Sequence, residues 1–125
     1  MNSKKVIEEL EKKYPEKKII KNDEDNPTEI LCEIEPSTNH PEYSLAIAVI
    51  DKSAPHTHKK SKETYKVIRG KLALYIDSEK HELSEGEELV INPDQTHWAE
   101  GNETWIECYS EPGWTFEDHI LEDAK

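Results

Sequence analysis

From residue 43 to residue 110 the chain is cut into short apolar stretches by turn residues, and no stretch is long enough to make a helix with a buried face. The stretches are 43–51, 63–69, 71–77, 80–83, 88–91, 97–100 and 104–110. Between them stand Gly70, "SEGE", "NPDQ" and "GNE". Many short segments with turns at close, regular spacing specify strands that close into a sandwich or a barrel. The expected class is therefore all-β.

The first part of the chain reads differently. Val6, Ile7, Leu10 and Tyr14 fall on one face of a helix over 3–14, with Ser3 as its expected cap and Pro15 as its stop. A strand is expected at 18–21, an acidic turn at 22–27, and a second strand at 28–34 whose Ile30, Cys32 and Ile34 share one side. These elements divide the chain into an accessory segment, 1–35, and a barrel with its tail, 36–125, within one compact domain. Residues 125 in number, with 34% hydrophobic and 35% charged, can bury one economical core. Trp114 and Phe116 in the tail are expected to pack back onto it.

Charge excludes some partners. At a net −12, with lysines dispersed among acidic residues, the surface repels nucleic-acid and membrane phosphates. No segment approaches the roughly 20 apolar residues of a membrane span, and 1–15 has no apolar signal-peptide core. The expected location is the cytoplasm, where Cys32 and Cys108 would be buried thiols rather than a disulfide.

The chemistry concentrates in "APHTHKKSKETYKVIRG", residues 54–70. On an extended segment His56 and His58 point to the same face, so two imidazoles can share one ion. A bend at "KKSK" can return the Glu63 carboxylate to that point. His97, after the "NPDQ" turn, can supply a third nitrogen from a neighbouring strand. Three neutral imidazoles and one carboxylate suit a divalent transition metal, Zn, Mn, Fe, Ni, Co or Cu, and leave positions open for water or substrate. Tyr65 should share the inward face with Glu63, where its phenol would orient a substrate or give a proton, or would fill the core with one hydrogen bond satisfied. Trp98 should point away from His97 and serve packing. His40, His81 and His119 are expected to lie outside the ligand set; the "EDH" of the tail could cover the barrel mouth, with His119 as solvated surface the leading expectation. Glu107 is open to either face.

The spacing His56-x-His58, four residues, Glu63, six residues, Gly70 resembles the first signature of the cupin superfamily. Gly86, five residues, Asn92-x-Asp94, two residues, His97 resembles the second, with Asn92 and Asp94 where that pattern usually has proline and glycine. A type I turn over "NPDQ" is expected here, which would need no positive φ at Asp94. The likeness spans about residues 43–119. It is strongest to small single-domain cupins similar to mannose-6-phosphate isomerase, in "HTHKKSKETYKVIRG" and "CYSEPGWTFEDHI". The resemblance implies a double-stranded β-helix, or jelly-roll, barrel with a short N-terminal helix. It also implies His56, His58, Glu63 and His97 as metal ligands, and a homodimer, for which segments 18–34 are candidate contacts.

Such a centre would act on a small molecule, a carbohydrate or an organic acid. The leading expectation is a metalloenzyme of isomerase or epimerase type on a sugar or hydroxy-acid. The alternatives are an iron-dependent dioxygenase and a non-catalytic module that holds metal and ligand. Arg69 is the only arginine and no basic cluster marks a phosphate pocket, which counts against a phosphorylated sugar.

Overall fold

The computed structural model of the protein describes residues 1–122. Helix α1 (Ser3–Lys13) is followed by strands β1 (Lys18–Lys21), β2 (Glu29–Glu35), β3 (Ser44–Lys52), β4 (His56–Thr57) and β5 (Lys62–Arg69). Then come β6 (Leu72–Ile76), β7 (Glu79–Leu83), β8 (Glu88–Ile91), the long β9 (His97–Glu111) and β10 (Ile120–Leu121). The strands form one curled antiparallel sheet whose main path runs β1-β2-β3-β9-β4-β10, with β5 and β8 joined on one side and β6 and β7 on another. This is the all-β barrel with a short N-terminal helix that the turn spacing predicts.

Alternation sorts the side chains. Ile30 and Cys32 of β2, Ile47 and Val49 of β3 and Trp105 of β9 form the outer face, and α1 covers them with Val6 and Leu10. Each such side chain contributes about 1.5–3 kcal/mol through burial. The opposite face carries Ala48, Ile50, Tyr65, Val67, Leu72, Leu74, Ile91 and Ile106 into the barrel interior. Arg69 clasps helix to sheet: its guanidinium bonds Glu9 at 2.6 Å and lies 4.3 Å from the Trp105 ring centroid.

Three local readings need correction. The helix cap is Asn2, whose side chain accepts from the Lys5 N–H, while Ser3 is the first helical residue. Either residue type can cap, and one more residue of chain outside the helix decided it. The stretches 97–100 and 104–110 are not two strands but one, β9. "GNE" makes a bulge opposite Asp51 rather than a turn, and Asp51 accepts from the Glu103 N–H at 2.8 Å. A bulge bends a strand without ending it, so β9 pairs with β6 through His97–Gly101 and with β3 and β5 through the remainder. Third, the "NPDQ" turn does use positive φ: Asp94 has φ 69°. With Pro93 before it and Gln95 N–H bonding Asn92 O, the φ is that of a type II turn. Aspartate stands in a left-handed position that it tolerates better than most residues, at the place where the resembled pattern has glycine.

The tail packs back in part. Trp114 N–H donates to Ser44 Oγ at 2.8 Å and β10 pairs with β4. Phe116, by contrast, is 79% exposed and packs on nothing in the core. The last three residues of that tail, 123–125, lie outside the described residues.

Candidate metal centre

His56 and His58 flank Thr57 at β4, and both rings turn into the barrel mouth, as an extended His-x-His segment requires. Glu63 enters at the start of β5 after the chain turns through Lys59–Ser61. That turn is tied by Asp118, whose carboxylate accepts from the backbone N–H groups of Lys59, Lys60 and Ser61 at 2.8, 3.2 and 3.1 Å. Burial pushes the Asp118 carboxyl upward, but these donors outweigh it and hold the group below its usual range. His97 opens β9 directly opposite His56 in the pairing.

These four side chains are brought together and are all buried. One potential ligand atom from each lies within 4.8 Å of the others. The Nε2 atoms of His58 and His97 approach Glu63 Oε1 at 3.1 and 3.3 Å. All three of these atoms are buried without a well-formed hydrogen bond. Orphaned buried polar atoms are costly, by about 1–3 kcal/mol each, so a cluster of them converging on one point calls for a further positive group there.

The outward atoms are satisfied. His56 Nδ1 bonds Ala54 O at 2.8 Å, His58 Nδ1 bonds Asp118 O at 2.9 Å, and His97 Nδ1 bonds Gln95 O at 3.1 Å. A carbonyl oxygen only accepts, so each Nδ1 must donate, and in the neutral rings each Nε2 keeps its lone pair for the centre. Glu63 is oriented in the same manner. Its Oε2 accepts from Ser110 Oγ at 3.1 Å and Cys108 Sγ at 3.3 Å, which leaves Oε1 facing the imidazoles. Such outer partners fix ligand orientation in metal sites. The donor set of three nitrogens and one oxygen fits a divalent transition ion.

In the metal-free site burial pulls His58 down, but the Glu63 carboxylate outweighs it and holds the ring above its usual value. Burial, with the nearby His97, drives His56 down to about 3, so its ring is neutral. Burial opposes ionisation of Glu63, but His58 and His97 hold its carboxyl well below the usual value. Burial also keeps Tyr65 and Cys108 protonated, each with its pKa well above normal.

His56, His58 and Glu63 form part of the wall of a cavity that opens to solvent. Tyr65 lines it, and its ring centroid is 5.9 Å from that of His97. Ala46 and Ala48 keep the facing wall low, and Glu29, Leu31 and Glu33 project from β2. Among the described residues no lysine or arginine lines it. Glu107, by alternation with Ile106 and Cys108, lies on the other face. Trp98 stacks on Tyr75 at 4.0 Å, in the packing role expected of it.

His119 differs from its expected solvated role. Its ring stacks on His56 at 4.3 Å and lines the cavity mouth, although it is not among the four converging side chains. His40 bonds Glu35, and His81 lies near Glu79, both away from the cluster. Sequence reading missed Asp118, Ser110, Cys108 and Glu29. Asp118 had a signal, since a lone aspartate beside the tail histidine can cap a turn. Glu29, Glu33 and Glu35 alternate with Ile30, Cys32 and Ile34 and so read as a solvated face, but that face is the cavity wall.

Comparison with known proteins agrees with this architecture. Residues 45–106 match the cupin domain model Cupin_2. An uncharacterised protein of Methanocaldococcus jannaschii is 36% identical over 86 residues, covering 63% of this chain and 69% of the relative. Streptomyces PAC13 with uridine superposes with a TM-score of 0.75 at 13% identity, over 88% of each chain. That protein is described as a nucleoside dehydratase. HppE in its iron(II) form gives a TM-score of 0.62 at 12% identity, covering 77% of this chain and 56% of HppE. Likeness at such identities establishes the shared fold alone.

Proposed function

We propose, on the match of residues 45–106 to a cupin domain, that the chain is a metal-dependent enzyme of the cupin type acting on an uncharged, hydroxyl-rich small molecule, by isomerase- or epimerase-type proton transfer. The observation that carries this reading is the convergence of the buried, unpartnered His58 Nε2, His97 Nε2 and Glu63 Oε1, with His56, on one point beside a cavity. His56, His58, Glu63 and His97 are the residues that would hold the ion. A bound divalent ion supplies Lewis-acid polarisation of a substrate carbonyl or hydroxyl oxygen.

The chain's own residues do the rest. Ala46 and Ala48 leave room for the ligand, and Leu31 and Ile106 exclude water beside it. Tyr65, protonated, gives a hydrogen bond to a substrate oxygen. Among the described residues the wall carries Glu29 and Glu33 and no lysine or arginine, so an organic acid or a phosphorylated sugar lacks a counter-charge there. That favours a sugar or nucleoside over the hydroxy-acid. A second reading, iron-dependent oxygenation, draws on the fold likeness to the iron(II) protein HppE. A homodimer would form through β1, which among the described residues pairs with β2 alone and leaves one edge open.

The test is competitive titration of zinc or manganese against a chelator. We expect about one ion per chain for the wild type. His97→Ala should lose more than about 100-fold in affinity, beyond the 10–100-fold typical of outer partners. His81→Ala should match wild type. Equal binding by both variants sinks the assignment, and circular dichroism supplies the folding control.

A further inference from the structure

Resting on the reading above, we infer that Glu29 is the proton carrier of the cavity, a catalytic acid and base placed apart from the four metal-ligating side chains. It opens β2, opposite Ile50 of β3, and lines the same cavity as Glu63 and Tyr65. Its side chain makes no hydrogen bond or ion pair among the described residues, whereas Glu35 bonds His40 and Glu9 bonds Arg69. Its backbone, by contrast, is fixed: the N–H donates to Asn22 Oδ1 at 3.1 Å. A carboxyl on a paired strand with both oxygens free, lining the cavity that the metal cluster also lines, is placed to meet a substrate hydrogen.

Its environment suits that task. Glu29 is half-buried and lines the cavity wall beside Leu31. Burial, with the Glu63 charge as the smaller cause, pushes it up to about 7. The larger cause is independent of what occupies the metal cluster. The ionisable groups bearing on it are Glu63 and Tyr65 of β5 and Cys108 of β9, while β3 presents the neutral Ala48 and Ile50. Near neutral pH both protonation states are therefore populated, which a group that must accept and then return a proton needs.

The step balances without a further reactant. The Glu29 carboxylate takes the proton from the carbon next to the substrate's carbonyl: the C–H bond breaks, an O–H bond forms on Glu29, and the electron pair moves toward the carbonyl oxygen. For isomerisation Glu29 returns its proton to the adjacent carbon as the substrate's hydroxyl proton moves to the former carbonyl oxygen.

Two measurements test it. In the metal-free protein, carbon-13 NMR of labelled glutamate carboxyls should show one resonance titrating near pH 7 that is missing in Glu29→Gln. Titration of that resonance at the ordinary value of about 4.3 overturns the inference. In zinc- or manganese-loaded protein, incubation with mannose or fructose in heavy water should give deuterium uptake at carbon. Glu29→Gln should slow it by at least about 100-fold, the low end of acid–base catalysis, with zinc affinity unchanged. Equal uptake by wild type and Glu29→Gln overturns the role of Glu29. No uptake by wild type on either probe counts instead against the proposed reaction class, and the NMR titration then decides Glu29 by itself.

Discussion

The sheet of β2, β3 and β9 has two faces built from the same strands, one residue out of phase, and they have opposite chemistry. The outer face is a plain hydrophobic joint: Val6 and Leu10 of α1 on Ile30, Cys32, Ile47, Val49 and Trp105. The inner face carries Glu29, Ala46, Ala48, Cys108 and Ser110 toward a cavity and the four-residue cluster. The outer face is complete as it stands, and the inner face leaves buried polar atoms without partners. The difference separates stability from function along one chain, and period-two alternation is the device that keeps them apart. It predicts that a lesion on one face spares the property of the other.

The largest effect should come from the outer face. Leu10 is fully buried, and Leu10→Ala should cost about 2–5 kcal/mol in urea unfolding, from lost transfer energy and a residual cavity. Zinc affinity of the folded fraction should stay within about threefold. A parallel fall in affinity would break the separation.

An inner-face change should do the reverse. Ser110→Ala removes one of the two donors that aim Glu63. Metal affinity should drop about 10–100-fold, while unfolding of the metal-free protein should change far less than for Leu10→Ala. Chelator competition and urea titration of one preparation give both numbers.

The smallest effect is a slope. In metal-free protein His56 ionises near 3, against an ordinary value of 6.5. Below about pH 6.5 the unfolded chain takes a proton that the folded site refuses. Stability from this group is thus complete above about 6.5 and is lost as pH falls toward 3. The loss can reach about 1.4 kcal/mol per pH unit. His119, also lowered by burial, adds in the same direction. Urea unfolding of chelator-treated protein at pH 6.5, 5.5 and 4.5 should give a flatter slope for His56→Gln than for wild type. Identical slopes would mean that His56 is already charged in the folded site.

Much of this contrast could be read before any coordinates. The apolar half of each strand is legible because burial repeats every second residue, as at Ile30, Cys32 and Ile34. His56, His58, Glu63 and His97 are legible as a group because their spacing is compact. Glu29 was not, since a carboxylate facing a cavity and one facing solvent look alike in one dimension. The continuity of β9 was hidden because "GNE" has turn composition, and only pairing with Asp51 and β6 shows a bulge. Asp94 hid its positive φ because aspartate is common in turns of either type.

The bend in β9 has a consequence in time. Thirteen residues of straight strand would hold His97 and Ser110 on the order of 40 Å apart, yet side chains from both reach the one Glu63 carboxylate. Counting His58 and its tie to the Asp118 carbonyl, the groups around Glu63 come from positions far apart in the chain. Contacts of such long sequence separation pay loop-closure entropy before they return anything, and chains dominated by them fold in milliseconds to seconds rather than microseconds. The centre is consequently a late event, assembled when the barrel closes. During synthesis from the N-terminus, α1 and β1–β3 emerge while the last contributors to the site, Asp118 and His119, are still unmade. Metal capture by the finished centre would then act as a clock hand, marking the moment at which the two ends of β9 have met.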